Sequence, residues 1–380
     1  MFKGYKIKIY PTEEQAKLII KFCNASRFAY NWTIAAKEEN YKNGGKFITG
    51  FKLGTKLTAL KKEEGYQWLS EIPLRVVRGG MFEAVESYKS FFNGIKGYPN
   101  FKKKGKSKMS YCVREDRFTL LPQKIRCEKI GWIKTKKHNI PIGDFHYAKH
   151  HISFDGDNFW FSVNIEYPDD YFYINKNKTE VIGIDLGIKT LATCSNKKVF
   201  KKPNVNKYEK RIKRLNRQTA KHYDKMLKYC LKTKTKFSKL QKSKNLLKLE
   251  SKTRKNYRKI NNILTTNIRT ITKSLVKENP KTIVIENLNI SGLLKNKYLS
   301  RKISEAKFYE FRRQLEYKCK WYGIDLILAD RWYPSSKICS CCGNKKKVLK
   351  LSERTYKCEK CGLIIDRDYN AALNLRNLAL

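Results

Sequence analysis

The chain has 380 residues, of which 41% are hydrophobic, so it is long enough for two or three domains with a sizeable core and is not a disordered polypeptide. Its formal net charge is +49, from 83 Lys and Arg against 34 Asp and Glu, and this excess predicts a polyanionic partner. The 23 Tyr and 19 Phe, interleaved with basic residues, suit stacking on nucleobases.

A membrane surface is the competing anionic partner. The sequence contains no apolar run of about 18 residues and no signal peptide, so we expect nucleic acid and no membrane partner. Of the eleven cysteines, those outside the C-terminal clusters are expected to be reduced and mostly buried. Together these features predict a cytoplasmic protein, associated with the nucleoid if the source is prokaryotic.

The first half of the chain begins with an alternating strand at 1–10. Thr12 and Gln15 form a capping box that starts a helix through about Tyr41, and helical patterns recur near 51–63 and 74–95. A basic loop with aromatic residues follows near 98–108. Residues 110–168 read as short strands, including a hairpin that turns at 155–158. We expect the first strand to join this sheet, which makes the helical block an insertion.

The second half follows a linker at 175–178. A buried strand near 180–188 contains Asp185, and its hairpin partner begins at 191–194. Residues 196–277 hold 28 Lys or Arg against three acids, and their apolar residues recur at helical spacing. This pattern predicts two long basic helices in a hairpin, with a coiled-coil arm as the alternative. A strand at 281–288 contains Glu286, and a helix at about 304–322 precedes a strand at 324–330.

Four cysteines near the C-terminus form two C-x2-C pairs, each followed by glycine. Cys339 with Cys342 and Cys358 with Cys361 are separated by fifteen residues, the spacing of a zinc ribbon, and predict one structural Zn²⁺. Buried thiols or disulfides would not explain this paired pattern. Cys341 lies inside the first pair and is a possible substitute ligand, but Cys339 and Cys342 reproduce the spacing of the second pair.

Three acids stand at the ends of predicted elements. Asp185 and Glu286 each end an apolar strand, and Asp368 opens a C-terminal helix. Strand-end carboxylates meet at one edge of a buried sheet, and three of them can hold two Mg²⁺ ions for phosphodiester hydrolysis. Asp366 is expected to cap the helix or support the site from outside it, and Asp330 to cap the entry to the cysteine segment.

These motifs resemble the TnpB family of transposon-associated RNA-guided DNA endonucleases, which is related to the type V CRISPR effectors. The similarity extends over nearly the whole chain and rests on five segments, namely Tyr5-Lys6-Ile7-Lys8-Ile9-Tyr10-Pro11-Thr12, Gly183-Ile184-Asp185-Leu186-Gly187, Ile285-Glu286-Asn287-Leu288, Tyr333-Pro334-Ser335-Ser336-Lys337 before the cysteines, and Asp366-Arg367-Asp368-Tyr369-Asn370. The resemblance implies that Asp185, Glu286 and Asp368 are the RuvC carboxylates.

The resemblance also implies an α+β multidomain fold. Its expected parts are a wedge-type β-barrel at 1–10 and 110–175, a helical recognition insert at 11–109, a ribonuclease H-like RuvC domain at 179–333 and 364–380, and a zinc ribbon at 334–363. It further implies a guide RNA from the transposon end, and double-stranded target DNA cut beside a short adjacent motif at one RuvC site.

Two other functions remain open at this stage. A transposase, or an accessory DNA-binding protein of transposition, would use a similar acid triad or the basic surface alone. A non-catalytic RNA-guided binder would have the same architecture, but the three acids are all present here. We therefore expect the nuclease.

Overall fold

The computed structural model describes residues 1–113, 118–143, 145–169, 171–172, 180–237, 240–350 and 352–380. The chain divides into two units, Met1–Pro168 and Asp169–Leu380. The linker expected at 175–178, and with it the predicted domain boundary at 175–179, lies outside the described residues.

The helices of the first unit follow directly from β1 (Phe2–Tyr10). Thr12 caps α1 (Glu13–Lys42) through the predicted capping box, in which its side chain accepts from the Gln15 backbone N–H. The other helical elements are α2 (Gly50–Leu60), a short 3-10 helix (Gln67–Glu71) and α3 (Leu74–Phe92). Helices α1 and α3 approach closely at Gly80, where a Cβ would lie 2.1 Å from the Ser26 carbonyl oxygen. The three predicted helices are thus confirmed.

The first unit also contains an antiparallel sheet of seven strands. Besides β1 these are β2 (Met109–Val113), β3 (Phe118–Leu121), β4 (Lys124–Cys127), β5 (Gly131–Thr135), β6 (Tyr147–Phe154) and β7 (Phe159–Glu166). Their order is β2-β6-β7-β1-β5-β4-β3, so β1 lies in the middle, as expected. The predicted turn between β6 and β7 is confirmed, and there Asp155 Oδ1 accepts the Asn158 backbone N–H at 2.9 Å.

This sheet is not the closed barrel that the sequence predicted. Within the described residues, β2 pairs only with β6 and β3 only with β4. The sheet nevertheless curls strongly. The ring of Phe118 in β3 lies 5.4 Å from the ring of Phe161 in β7 and 4.5 Å from the ring of His150 in β6, although β3 stands at the other end of the strand order. Side-chain packing, and not a backbone ladder, brings these strands together.

The second unit is built on a mixed sheet of five strands. They are β8 (Val181–Leu186), β9 (Thr190–Cys194), β10 (Val199–Lys201), β11 (Thr282–Glu286) and β12 (Asp325–Ala329). Their order is β10-β9-β8-β11-β12, with β8, β11 and β12 parallel and β9 antiparallel to β8. The parallel strands read as nearly continuous apolar runs because both faces of this sheet are covered.

The helices of the second unit are α4 (Asn206–Thr233), α5 (Lys244–Lys277), α6 (Ile290–Leu294), α7 (Ser300–Ala306), α8 (Phe308–Tyr322) and α9 (Arg367–Arg376). The predicted pair of long basic helices is confirmed as α4 and α5. The single helix expected at 304–322 is wrong: it is broken at Lys307, which has a left-handed φ of 53°. The break allows Ile303 and Phe308, on either side of it, to enter the same core.

Two core clusters cover opposite faces of the five-stranded sheet. Ile182, Ile184, Ile283 and Ile285 face α5 and α8, whereas Val181 and Val284 pack with Leu375 of α9. The segment between β12 and α9 contains the short hairpin β13 (Thr355–Lys357) and β14 (Ile364–Asp366). No helix among the described residues is both long and apolar enough to cross a lipid bilayer.

Candidate functional site

Asp185 and Glu286 lie side by side at one edge of the five-stranded sheet. Strands β8 and β11 are parallel, with Gly183 opposite Val284 and Ile184 opposite Ile285, so the same register sets Asp185 beside Glu286. Side chains alternate between faces along a strand. Since Val181 and Val284 face α9, Asp185 and Glu286 point to that same face.

Helix α9 brings Asp368 to these two acids. A Cβ on Gly183 would lie 2.1 Å from the Ala372 carbonyl oxygen and 2.4 Å from the Arg376 backbone nitrogen, so the helix rests directly on the strand there. Asp368 lies in the first turn of α9. The structure therefore brings together all three acids predicted from the sequence.

The electrostatics of this cluster favour a cation. Burial, followed by the charges of Glu286 and Asp368, raises the pKa of Asp185 well above its usual range. Burial likewise raises the pKa of Glu286, against the opposing effects of hydrogen bonds with Ser335 and Asp185. Ionised carboxylates that lie close together in a half-buried site repel one another, so the ionised cluster is unfavourable unless a cation binds there. Carboxylate oxygens are ligands that Mg²⁺ prefers.

Ser335 is a contact that the sequence did not predict. Its hydroxyl is buried and donates to Glu286 Oε1 at 2.7 Å, which fixes the orientation of that carboxylate. The Tyr333-Pro334-Ser335-Ser336-Lys337 motif pointed to this segment, but the sequence does not distinguish the two serines.

Asn370 and Asn374 of α9 were also missed. Asn370 Nδ2 and Asn374 Nδ2 both donate to the Ile338 carbonyl at 2.7 Å, and Asn374 Nδ2 also donates to the Ser335 carbonyl at 2.7 Å. Asn370 Oδ1 accepts the Ser340 backbone N–H at 3.0 Å. One face of α9 thus holds the start of the cysteine segment. Their spacing of four residues on a helix was the available signal.

The two remaining acids have the structural roles expected of them. Asp366 is the N-cap of α9 and its side chain accepts the Tyr369 backbone N–H at 2.9 Å. Asp330 is exposed and accepts the Trp332 backbone N–H at 2.8 Å, in the turn that leads to the cysteines. Arg354 lies 3.9 Å from Asp368 and supplies a positive charge at the rim of the cluster.

The four predicted cysteines converge on a single point. The Sγ atoms of Cys339, Cys342, Cys358 and Cys361 all lie within 4.8 Å of one another, with Cys339 and Cys361 3.6 Å apart and Cys342 and Cys358 3.5 Å apart. Tetrahedral zinc with bonds of about 2.3 Å sets its sulfurs about 3.8 Å apart, so the group fits this ion. Cys341 is exposed and stands outside the group.

The chemistry of the cysteine group also suits a metal. The backbone N–H of Cys361 lowers the pKa of the Cys358 thiol to about 6, which favours the thiolate that zinc binds. The pKa of the Cys361 thiol is instead raised to about 12, because the lowering effect of its hydrogen bond with the Leu363 backbone is outweighed by its contact with Cys342 and by desolvation. Within the described residues this is the one group of His, Cys, Asp or Glu side chains that converges closely enough for a single ion.

A basic groove lies elsewhere in the second unit. It has a volume of about 990 Å³ between α4, α5 and α7, and its cationic lining residues are Lys210, Lys213, Arg217, Arg301 and Lys307. Glu209 and Glu305 also line it and pair with Arg301. Lys307 donates to Asn261 Oδ1 at 2.7 Å. Lys210, Lys213 and Arg217 are exposed, as basic side chains that contact phosphate are.

Family models match three segments of the chain. The model described as "Cas12f1-like, TNB domain" matches residues 308–375, which include Asp368 and the four cysteines. The model described as "Probable transposase" matches residues 162–297, which include Asp185 and Glu286. An OrfB IS605 "Helix-turn-helix domain" matches residues 1–46, although these form one strand and one long helix here.

Relatives with curated names are similar over nearly the whole chain. A Streptomyces pristinaespiralis protein named "Putative RNA-guided DNA endonuclease" is 28% identical over 98% of this chain and 88% of its own length. The Escherichia coli K12 protein named "Putative RNA-guided DNA endonuclease InsQ" is 26% identical over 98% of this chain and 91% of its own length.

A solved structure has a similar fold. The Cas12f1 chain of a complex with a single guide RNA and target DNA superimposes with a TM-score of 0.62 at 15% identity, covering 100% of this chain and 99% of that one. The fold is thus α+β and multidomain, and it is similar to that of the Cas12f1 chain. The chain is similar to IS605 OrfB proteins in two segments and to proteins named RNA-guided DNA endonucleases over nearly its whole length.

Proposed function

We propose that this protein is a transposon-encoded RNA-guided DNA endonuclease with a single RuvC-type site formed by Asp185, Glu286 and Asp368. The observation that carries the proposal is the direct contact of α9 with β8 at Gly183, which sets Asp368 against the two strand-end acids. The names of the relatives and the Cas12f1-like fold support the same function.

The three carboxylates would hold two Mg²⁺ ions. When bound, such ions supply activation of water and stabilisation of the charge that develops on a phosphodiester. Within the chain, Ser335 orients the Glu286 carboxylate, and Asp366 caps the start of α9. The contact of α9 with β8 at Gly183 fixes how close Asp368 lies to the sheet. The protein's own task is therefore to hold three acids rigidly at the scissile phosphate.

Zinc would be bound by Cys339, Cys342, Cys358 and Cys361, with a structural role. The hydrogen bonds of Asn370 and Asn374 connect the start of the cysteine segment to the helix that bears Asp368. A folded ribbon thus supports the geometry of the acid site, and zinc binding contributes folding free energy directly.

The partners would be a guide RNA from the transposon end and double-stranded target DNA with a short adjacent motif. Guide pairing would read the target sequence, while basic surfaces such as the groove at α4, α5 and α7 would hold phosphate. The domains proposed from the sequence, a wedge-type sheet with a helical insert and a RuvC domain with a ribbon, would share these tasks.

The proposal is tested by purifying the chain from cells that also contain its flanking DNA, followed by sequencing of the RNA that co-purifies. We expect one defined RNA that ends in sequence adjacent to the transposon. Heterogeneous RNA, or none, would contradict the guided mechanism.

A transposase is the second candidate, because one matching family model carries the description "Probable transposase". A transposase joins DNA strands, whereas the proposed enzyme only hydrolyses them. Incubation with a labelled transposon end and target DNA separates the two: joined products would favour the transposase, and cut target without joining would favour the endonuclease.

A further inference from the structure

A cavity of about 720 Å³ opens in the first unit, at the C-terminal ends of α1 and α3. Its volume is in the range of sites that take small organic molecules. Its lining combines six aromatic residues with three lysines and one acid. The aromatic residues are Tyr41, Phe47, Tyr88, Phe91, Phe92 and Tyr98, and the charged residues are Lys37, Lys42, Lys46 and Glu38. None of these residues belongs to the acid or cysteine sites.

The aromatic wall of the cavity is a packed cluster. Tyr88 and Phe92 stack with ring centroids 6.4 Å apart, and the Tyr98 ring meets Tyr88 edge-on at 5.6 Å and Phe91 at 5.3 Å. The Tyr88 and Tyr98 hydroxyls lie 3.3 Å apart. The rings are therefore held in place before any ligand arrives, which lowers the entropic cost of binding.

Several rings of the cavity lining are also accessible. Phe47 is 56% exposed, and Phe92 and Tyr98 are exposed as well, whereas Tyr88 is buried beneath them. Contiguous exposed apolar side chains with a polar rim mark interaction sites in soluble proteins. The exposure shows that the cavity is open to a ligand from outside.

Lys37 contributes a fixed positive charge inside the cavity. Its ammonium donates to the Ile48 carbonyl at 2.9 Å and lies 3.6 Å from the centroid of the Phe47 ring. Burial lowers the pKa of Lys37 to about 8, so it is still mostly protonated at neutral pH. Lys42 and Lys46 are exposed at the rim, and the lining charge is net positive against Glu38.

We propose that this cavity receives one unpaired nucleobase of a bound nucleic-acid strand, stacked against the exposed rings of Phe47 and Tyr98, with the adjoining phosphates on Lys42 and Lys46. The inference rests on the proposed nucleic-acid function and adds a site of base stacking to it. Stacking on aromatic rings tolerates any base, while rim lysines neutralise the backbone. The strand is RNA or DNA, and both present the same chemistry.

A second copy of the chain would fit this surface less well. Each copy has a formal net charge of +49, and like charges of this size repel at an interface with basic rims. A polyanion with flat apolar groups satisfies both the lysines and the rings.

The test compares 12-nucleotide probes that have equal charge but differ in bases. Oligo-uridine and oligo-thymidine are each measured against an abasic sugar–phosphate 12-mer by fluorescence anisotropy, with the full-length wild type and Phe47→Ala. Stacking is worth about 1–3 kcal/mol per base, so we expect Phe47→Ala to weaken binding of base-bearing probes about 5- to 150-fold. Binding of the abasic 12-mer should not change.

Phe51→Ala is the matched control. Phe51 is 86% exposed on α2 and does not line the cavity, so its loss should leave all probes unaffected. Phe47→Tyr keeps a ring and should restore binding. In parallel, 4-thiouridine RNA and 4-thiothymidine DNA should photo-crosslink to peptides that contain residues 41–48 or 88–98, and the better crosslinker identifies the strand.

Three outcomes would overturn the proposal: equal loss on base-bearing and abasic probes, the same loss with Phe51→Ala, or a change of oligomeric state with Phe47→Ala as the only effect. The results also distinguish a failure of this base-binding site from a failure of the proposed endonuclease function. Intact cleavage without base-dependent binding at Phe47 defeats this site alone. Base-dependent binding without cleavage or co-purified RNA defeats the endonuclease alone.

Discussion

Asp185 is the residue on which the proposed chemistry depends most. It is half-buried, it lies beside Glu286, and both neighbouring acids raise its pKa. An amide at this position has the same shape but no charge for a cation. We expect Asp185→Asn to abolish detectable cleavage of target DNA, while RNA and target binding, measured by mobility shift, remain at the wild-type level.

The matched control for this substitution is Asp330→Asn. Asp330 also follows a strand of the same sheet, but its side chain accepts the Trp332 backbone N–H, and an Asn oxygen can do the same. This variant should cleave normally. Cleavage by Asp185→Asn at the wild-type rate would contradict the assignment of the site.

Substitution of Ser335 tests whether its hydrogen bond positions the Glu286 carboxylate. Ser335→Ala removes the hydrogen bond to Glu286, and partners of metal ligands typically contribute 10- to 100-fold to metal affinity or activity. We expect the Mg²⁺ concentration for half-maximal cleavage to rise about 10- to 100-fold, with the maximal rate largely recovered at high Mg²⁺.

Ser336→Ala provides the comparison, because Ser336 is the adjacent serine of the same motif and is not the donor to Glu286. Its Mg²⁺ dependence should match the wild type. A shift of equal size in both variants would mean that the segment acts only through stability, and Ser335 would then have no separate positioning role.

At the scale of elements, the contact between α9 and β8 places the third acid. Gly183→Ala would put a methyl group 2.1 Å from the Ala372 carbonyl oxygen, so the helix must move away from the strand. Overpacking of this kind typically costs about 1–3 kcal/mol and here also displaces Asp368. We expect a lower melting temperature and a loss of cleavage that exceeds the loss of folded protein.

Gly97→Ala is the corresponding control, since nothing lies within 4 Å of a Cβ built there and the glycine does not have a positive φ. It should leave melting and cleavage unchanged. Normal cleavage by Gly183→Ala would show that the position of Asp368 is not decided by this contact.

The cysteine segment is the second element to test. Double substitution Cys358→Ser with Cys361→Ser removes half of the four-sulfur group. We expect loss of bound zinc by elemental analysis, and loss of cleavage because Asn370 and Asn374 connect this segment to the helix of Asp368. Circular dichroism and limited proteolysis should show that the C-terminal segment has unfolded.

Cys341→Ser tests whether Cys341 substitutes for Cys339 or Cys342 as a zinc ligand. Cys341 is exposed and outside the group, so this variant should retain zinc and activity. Unchanged zinc content in the Cys358/Cys361 double variant, or zinc loss in Cys341→Ser, would contradict the choice of ligands.

Across the whole molecule, the sequence predicted residue positions best where a motif can fold in only a few ways. Paired C-x2-C-G motifs have few folded arrangements, and an acid at the end of an apolar parallel strand must lie at the sheet edge. Asp185, Glu286 and the four cysteines could therefore be placed before the structure was known.

The features that sequence reasoning missed depend on tertiary packing. The break at Lys307 occurs without glycine or proline, because Ile303 and Phe308 enter one core from both sides of it. The curled but unclosed sheet depends on contacts of Phe118 with distant strands, which no local pattern encodes. The choice of Ser335 over Ser336 depends on which hydroxyl reaches Glu286.

The central claim, that an RNA carried by this protein directs its acid site to DNA, is tested most directly by changing that RNA. The protein is purified with its co-expressed RNA after the segment beyond the transposon end has been replaced, and cleavage is measured on two plasmids that match the old or the new segment. We expect cutting to move to the plasmid that matches the new segment and to be absent with Asp185→Asn. Cutting that ignores the replacement, or that persists without Asp185, would contradict it.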